Sequence, residues 1–300
     1  MPAGLQWAAL VFLSAVIAVG GCRQQVVYRT ASGLEFMLYH GDNATGPVAG
    51  SGATVKVNYT LRYGDSVLHS TVRSMPLYQP LIPGLIAPYS PMEALGAGVR
   101  PGDSLVVWQR VDSMQRKGLL RELPKGWRMS DRLTATMKVL AVFSFDYMRT
   151  DSAVRADKLA EATAWLDGEQ RRAFAHMAGW LKEQSIAAKP VGDGVFVQVL
   201  AEGSGAVADS GSTVSLRYEM RNLSGRMLDA NTDTSFHHLP VLVARLGSGQ
   251  LPPVIDGVLR GWHSGSHLKI FIPLGVGISP ATVAGQGRIP GDDLIWEVWW

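Results

Sequence analysis

The chain contains a single cysteine in 300 residues, which excludes any internal disulfide. Charge of neither sign is concentrated: 28 Lys and Arg stand against 25 Asp and Glu, for a formal net charge of +3. Basic residues are scattered apart from a thin enrichment between Arg110 and Arg132. A nucleic-acid footprint needs a dense patch or stripe, so nucleic acid is not expected as a partner. The sequence has no G-x-S-x-G, no H-E-x-x-H and no phosphate-cradling glycine loop, which removes the sequence basis for a triad hydrolase, a zincin or a P-loop enzyme. His263 and His267 stand four apart, but Ser264-Gly265 breaks the helix that this spacing would need to hold a metal. No cofactor and no metal are expected. The charge-free run Leu10–Val19 is shorter than the about 20 apolar residues of a comfortable transmembrane helix.

What is present is a core-forming composition, 47% hydrophobic and 18% charged, at a length that suits two domains. The N-terminal run LQWAALVFLSAVIAVGGC ends on the only cysteine, Cys22. It has the dimensions of a signal-peptide hydrophobic region. Val19-Gly20-Gly21-Cys22 resembles the lipobox of bacterial lipoproteins, which implies that residues 1–21 are removed and Cys22 is acylated. The segment MPAGLQW departs from that pattern in lacking Lys and Arg. An ordinary signal peptide or an uncleaved anchor is the alternative. Arg23 rather than aspartate follows the cysteine, which implies a lipid anchor at the outer membrane, on a face the sequence does not specify.

The chain also repeats itself. GATVKVNYTL, from Gly52 to Leu61, returns as GSTVSLRYEM, from Gly211 to Met220. Apolar side chains at Val55, Val57, Tyr59 and Leu61, and at Val214, Leu216, Tyr218 and Met220, alternate with period two, the signature of a strand with one buried face. Turns at Gly64-Asp65 and Ser224-Gly225 follow. The runs LVVWQRV and LKIFI open after Gly102-Asp103-Ser104 and Gly265-Ser266-His267. Both copies end on alternating strands, Leu133-Ala135-Met137-Val139 and Leu294-Trp296-Val298-Trp300. Between the copies, from about Asp151 to Ser185, the period is helical. Leu159, Ala162, Thr163 and Leu166 share one face, and Phe174, Met177, Ala178 and Leu181 share another. Asp167-Gly168, with Gln170 three residues after Asp167, reads as a capping box. Two helices or one kinked helix are therefore expected.

The second copy carries Gly211-x-Thr-Val-x-Leu-x-Tyr218, Leu228-Asp229, Leu246-Gly247, Pro253-Val254-Ile255-x-Gly257, Ile272-Pro273, Ile289-Pro290 and Leu294-Ile-Trp296. In that order these resemble the FKBP-type peptidyl-prolyl isomerase domain over about Val191 to Trp300. Thr30 to about Phe143 resembles it more faintly. The resemblance implies an α+β protein. Two FKBP-like domains, each a twisted antiparallel sheet wrapped over a short helix, would occupy residues 22–143 and 188–300, with a helical linker at 144–187.

Rotating an X–Pro amide requires no acid, base or nucleophile. It needs relief from a barrier of about 18–20 kcal/mol that arises from amide resonance. An apolar cavity that strips water from the dipolar planar amide favours the twisted state. By the resemblance, Tyr218 lines such a pocket, Asp229 bonds to it and to the ligand, Val254 and Ile255 offer backbone to the peptide, and Trp296 forms an aromatic wall. Leu228 and Val241 stand in place of phenylalanines, Val258 in place of a tryptophan floor, and Ile278 in place of a second tyrosine. Trp262 is a candidate substitute for the floor. In the first copy Tyr59 remains, but His69 replaces the aspartate, Met92 the Val-Ile pair and Ala135 the aromatic wall, and about Ser113 to Arg128 is inserted. That copy is expected to keep the fold and lose the site. Expected partners are proline-containing unfolded or exported chains and the membrane beneath the anchor. The alternative is a non-catalytic chaperone or scaffold subunit of an outer-membrane assembly.

Overall fold

The structure is a computed structural model that describes residues 26–300 apart from residue 43, residues 147–149 and the side chain of Asp193. Cys22 and the expected signal segment lie outside the described residues. The chain divides into two compact units, Met1–Glu161 and Ala162–Trp300.

In the first unit β1 (Tyr28–Arg29), β2 (Glu35–Tyr39), β3 (Thr54–Tyr63), β4 (Ser66–Ser70), β5 (Leu77–Pro80), β6 (Ser104–Arg110) and β7 (Arg132–Phe143) form one antiparallel sheet. Its order is β1-β2-β6-β7-β3-β4, with β5 also pairing β3. A 3-10 helix at Pro91–Ala97 buries Met92, Ala94 and Leu95 against the sheet, alongside Val55, Val57 and Met137. The inserted stretch begins as the short helix α1 (Val111–Arg116).

In the sequence between β7 and the second sheet comes α2 (Thr150–Glu183), a single uninterrupted helix. The expected break at Asp167-Gly168 does not occur. One interior glycine costs a helix only about 1 kcal/mol, and burial of Ala162, Leu166, Met177 and Leu181 outweighs that, at about 1.5–3 kcal/mol for each large apolar side chain. Gln170 is not a cap: its Nε2 donates to Gly275 O at 2.7 Å. Leu159, expected on the buried face, is exposed.

The second unit contains β8 (Lys189–Val191), β9 (Val195–Ala201), β10 (Thr213–Asn222), β11 (Met227–Ala230), β12 (Leu242–Arg245), α3 (Pro253–Leu259), β13 (His267–Ile272), α4 (Pro280–Gln286) and β14 (Leu294–Trp299). Its sheet order is β11-β10-β14-β13-β9-β8, with β12 also pairing β10. Taken element by element, this is the topology of the first sheet, so the sequence repeat is a repeat of fold. The two sheets also share a close backbone approach. A Cβ on Gly41 would collide with Gly102 O, and one on Gly203 with Ser264 O.

The period-two expectation holds in both copies of the quoted phrase: Val55, Val57, Val214, Leu216 and Tyr218 are buried. Lys56 is buried as well, on the phase that should face water. Its Nζ donates to Asp157 Oδ2 at 2.7 Å and Glu161 Oε1 at 2.6 Å from the start of α2. In the second unit the outer sheet face carries a local apolar cluster, where Phe196 and Phe271 pack with Met177 and Leu181.

Candidate functional site

In the second unit the apolar faces of β10, β13 and β14 meet α3 in one core. At its edge lies a cavity of about 410 Å³. It is lined by Tyr218, Met220, Asp229, Leu242, Gln250, Leu251, Val254, Ile255, Ile272, Ile278, Leu294 and Trp296, together with Pro252, Pro253, Val276 and Gly277. Apolar side chains dominate. Asp229 is the one ionisable carboxylate among them.

Register brings the polar group and the wall together. Met220 on β10 pairs with Asp229 on β11 and with Trp296 on β14. The Tyr218 hydroxyl donates to Asp229 Oδ2 at 3.0 Å. Burial first, and then this bond to a carboxylate, push the phenol up to about 12. Asp229 Oδ1 accepts from the Ala230 N–H at 3.0 Å and from His238 Nε2 at 2.7 Å. The Tyr218 and Trp296 rings meet edge to face, with centroids 5.4 Å apart at 82°, the favoured arrangement for ring quadrupoles. Asn231 holds the strand behind them: its Oδ1 accepts from Tyr218 N at 2.7 Å, and its Nδ2 donates to Leu216 O at 2.9 Å. Trp296 Nε1 is the buried side-chain polar atom without a hydrogen-bond partner among the described residues.

Helix α3 presents the opposite wall. Pro253 opens it, at a position where the missing N–H costs nothing. Buried Asp256 fixes it: Oδ2 accepts from Gly247 N at 2.6 Å, and Oδ1 pairs with Arg260. Val254 and Ile255 consequently point into the cavity wall from the first turn. The Ile255 N–H already donates to Pro252 O at 2.9 Å, so this donor is occupied within the helix.

Of the residues singled out in the sequence, Tyr218, Asp229, Val254, Ile255, Ile278 and Trp296 line the cavity. Leu228, Val241 and Val258 are not in its lining. Val241 is exposed, and its neighbour Leu242, the first residue of β12, faces the cavity in its place. A shift of one residue reverses the face of a strand. Leu228 is half-buried beside Asp229. Val258 is buried in the core behind α3, and Trp262 packs on that core outside the lining. Contributors that escaped the sequence reading include Leu242, Gln250, Leu251 and Val276 in the lining, and Asp256 and His238 beside it. His263 and His267 are not paired with each other. The first bonds Gly205 O at 2.8 Å; the second bonds Glu297 at 2.8 Å and stacks on Trp299. Among the described residues no group of three His, Cys, Asp or Glu could hold a metal, and no helix is long and apolar enough to cross a membrane.

The first unit holds a larger cavity, about 690 Å³, on another part of its sheet. Its lining includes Glu35, Tyr63, Trp108, Arg110, Asp131 and Arg132. Arg132 lies 5.3 Å over the Trp108 ring, and Tyr63 bonds Asp131 at 2.5 Å. This charged, open surface offers no dry seat for an apolar ring. At the position of the second unit's site, the Tyr59 ring lies 5.9 Å from that of His69. Ala135 occupies the register of Trp296: Leu61 pairs with His69 and Ala135, as Met220 does with Asp229 and Trp296.

No protein-family model matches the chain, and no curated protein matches it by sequence. Among solved structures it is similar to FkpA from Escherichia coli, at 20% identity and a TM-score of 0.34, over 50% of this chain and 64% of that one. It is similar to a peptidyl-prolyl cis-trans isomerase from Pseudomonas syringae pv. tomato, at 21% identity and 0.31, over 43% of this chain and 91% of that one. It is also similar to the three FKBP domains of wheat FKBP73, at 13% identity and 0.30, over 90% and 94%.

Proposed function

We propose that the second unit binds proline-containing segments of polypeptide in the cavity between α3 and β14 and speeds their cis–trans isomerisation. The observation that carries this reading is the cavity itself. It is apolar on nearly all sides, and its single carboxylate is held by Tyr218 at 3.0 Å. Such a seat takes the prolyl ring, excludes water from the amide preceding it, and so favours the twisted, less dipolar amide. Tyr218 and Trp296 wall the ring, and Asp229 anchors the peptide through hydrogen bonding. The clients proposed are unfolded or exported chains, met in the cell envelope by a protein anchored through Cys22 at the outer membrane.

Exchange NMR on a short Phe-Pro peptide tests the reading with the full chain beside Asp229→Ala. Faster exchange with the wild-type chain, lost in the variant, supports it. Binding without acceleration leaves the second reading, a chaperone or scaffold subunit of an outer-membrane assembly. The observation favouring that second reading is Ile278, which lines the cavity and has no hydroxyl to give the substrate carbonyl.

A further inference from the structure

Matching rows of side chains occupy the outer faces of the two sheets. In the second unit Phe271 on β13 pairs with Phe196 on β9 and with Ile295 on β14. Met177, Trp180 and Leu181 of α2 pack on that row. In the first unit Trp108 on β6 pairs with Glu35 on β2 and with Thr134 on β7. This row lines the open groove of about 690 Å³. The place that takes a segment of the chain itself in one unit is a polar groove in the other. The connection beside it is basic. From Arg110 to Arg132 the chain has seven Lys and Arg against three Asp and Glu, whereas from Ile272 to Leu294, between the matching strands, it has one Arg and two Asp.

The charges of the groove are unequally engaged. Arg110 and Arg132 stand directly opposite each other on β6 and β7, a like-charge pairing that is unfavourable unless compensated. Asp112 compensates the first: its Oδ1 and Oδ2 accept from Arg110 Nε and Nη2 at 3.1 and 3.2 Å. Arg132 has the Trp108 ring, 5.3 Å from its Cζ, and no carboxylate partner among the described residues. A guanidinium laid on an aromatic face is oriented by it and keeps its N–H donors at its edge. The acids of the lining are each engaged through one oxygen. Glu35 Oε1 pairs with Arg29 at 2.5 Å, and Asp131 Oδ2 accepts from the Tyr63 hydroxyl at 2.5 Å and from Arg128 N at 2.8 Å. Their other oxygens stay open as acceptors. Tyr63 is fixed further by stacking on Trp127, with centroids 4.5 Å apart at 7°.

We propose that this groove binds an acidic segment of polypeptide, with a carboxylate on the Arg132 guanidinium and peptide N–H groups on Glu35 Oε2 and Asp131 Oδ1. The planar fork of arginine matches a carboxylate through two parallel bonds. Donors and acceptors side by side suit a peptide, which carries both. An ionised phosphate carries acceptors alone and meets Glu35 and Asp131 as like charges. Size points the same way. From Glu35 on β2 to Tyr63 on β3 the groove crosses β6 and β7, three strand spacings or about 14 Å, the length of about four extended residues. A lone anion fills only part of it. The site belongs to the first unit and does not depend on the prolyl cavity of the second.

The test uses the full chain and a fluorescein-labelled tetraglutamate peptide, with tetraglutamine as the neutral probe. Anisotropy gives the Kd of each, and NMR locates the bound peptide. Tetraglutamate binds the wild type and shifts the Trp108 and Thr134 amide signals, and tetraglutamine binds roughly threefold or more weakly. Arg132→Gln weakens tetraglutamate binding by roughly three- to tenfold, the worth of an exposed ion pair with good geometry. Arg132→Lys, which keeps the charge and loses the fork, recovers only part of that loss. Arg226→Gln removes the same charge from an exposed position of the second unit and leaves the Kd unchanged. Equal affinity for the two probes overturns the proposal, as does unchanged tetraglutamate binding in Arg132→Gln, or no tetraglutamate bound at all. Inorganic phosphate or phosphatidylglycerol vesicles held through Arg132 in preference to tetraglutamate overturn the peptide assignment.

Discussion

The two sheets share strand order, register and even the clasp behind the key tyrosine. Thr71 Oγ1 accepts from Tyr59 N at 2.8 Å in one, and Asn231 Oδ1 from Tyr218 N at 2.7 Å in the other. They part at three side chains. His69, Ala135 and Met92 in the first unit stand against Asp229, Trp296 and the Val254-Ile255 pair in the second. Strand order is common to both units, and the apolar cavity lies in the second, where an aromatic wall and a held carboxylate are present. One strand order thus carries two different sets of side chains at matching positions. The first unit spends its sheet differently: Lys56, facing away from the core, is buried under the start of α2, where the register equivalent in the second unit, Ser215, is exposed.

The largest expected effect makes the second unit resemble the first. Trp296→Ala removes a wall that is 92% buried by its 8% exposure and costs about 3–5 kcal/mol of unfolding free energy. Urea titration followed by far-UV circular dichroism measures it, and a loss below about 1 kcal/mol contradicts the packing described here. Next comes the feature peculiar to the first unit. Burial pulls the Lys56 ammonium down, but the bonds to Asp157 and Glu161 outweigh it and leave the group above its ordinary value. Lys56→Met should destabilise by about 1–3 kcal/mol, below the figure for fully buried pairs because both carboxylates are partly exposed. Hydrogen exchange should place the loss at β3 and residues 150–161.

Smaller in energy is Asp229→Ala, expected to cut isomerisation of a Phe-Pro peptide roughly tenfold or more, equal to about 1.4 kcal/mol. The phenol of Tyr218 supplies a pH test. Its neutral form is the one stabilised, so its contribution is complete below the ordinary tyrosine value of about 10. That contribution disappears as pH rises through about 12. Ring shifts of Tyr218 should titrate near that upper value, and lower in Asp229→Asn. The smallest effect should come from His69→Asp. It restores a carboxylate beside Tyr59 but not the wall missing at Ala135, so turnover stays unchanged. A gain of activity would show that the carboxylate alone separates the two units.

Much of this was legible in the residues. Period-two burial and the duplicated phrase locate the strands, and the ordered motif from Tyr218 to Trp296 locates cavity residues on β10, β11, α3, β13 and β14. What escaped has physical reasons. The capping-box pattern at Asp167 suggested a helix break, but packing of Leu166 and Met177 overrides the modest cost of Gly168. The resemblance sets Val241 in the pocket, one residue from the Leu242 that lines it, and the start of a four-residue strand carries too little periodicity to correct the face. His238 has no periodic signal around it, and only the folded turn returns it to Asp229. Lys56 sat on the polar phase of a strand, and its burial depends on carboxylates a hundred residues later in α2.

The central claim is that prolyl peptide enters the second unit's cavity and not its counterpart in the first. The most direct measurement is isotope-filtered NMR of the full chain with a Phe-Pro peptide, reading which protein protons lie near the proline ring. The account predicts contacts to Tyr218, Ile255, Ile278 and Trp296, and none to Tyr59, Met92 or Ala135. Proline contacts at Tyr59 and Met92, or contacts at neither site with peptide present in excess, would contradict it.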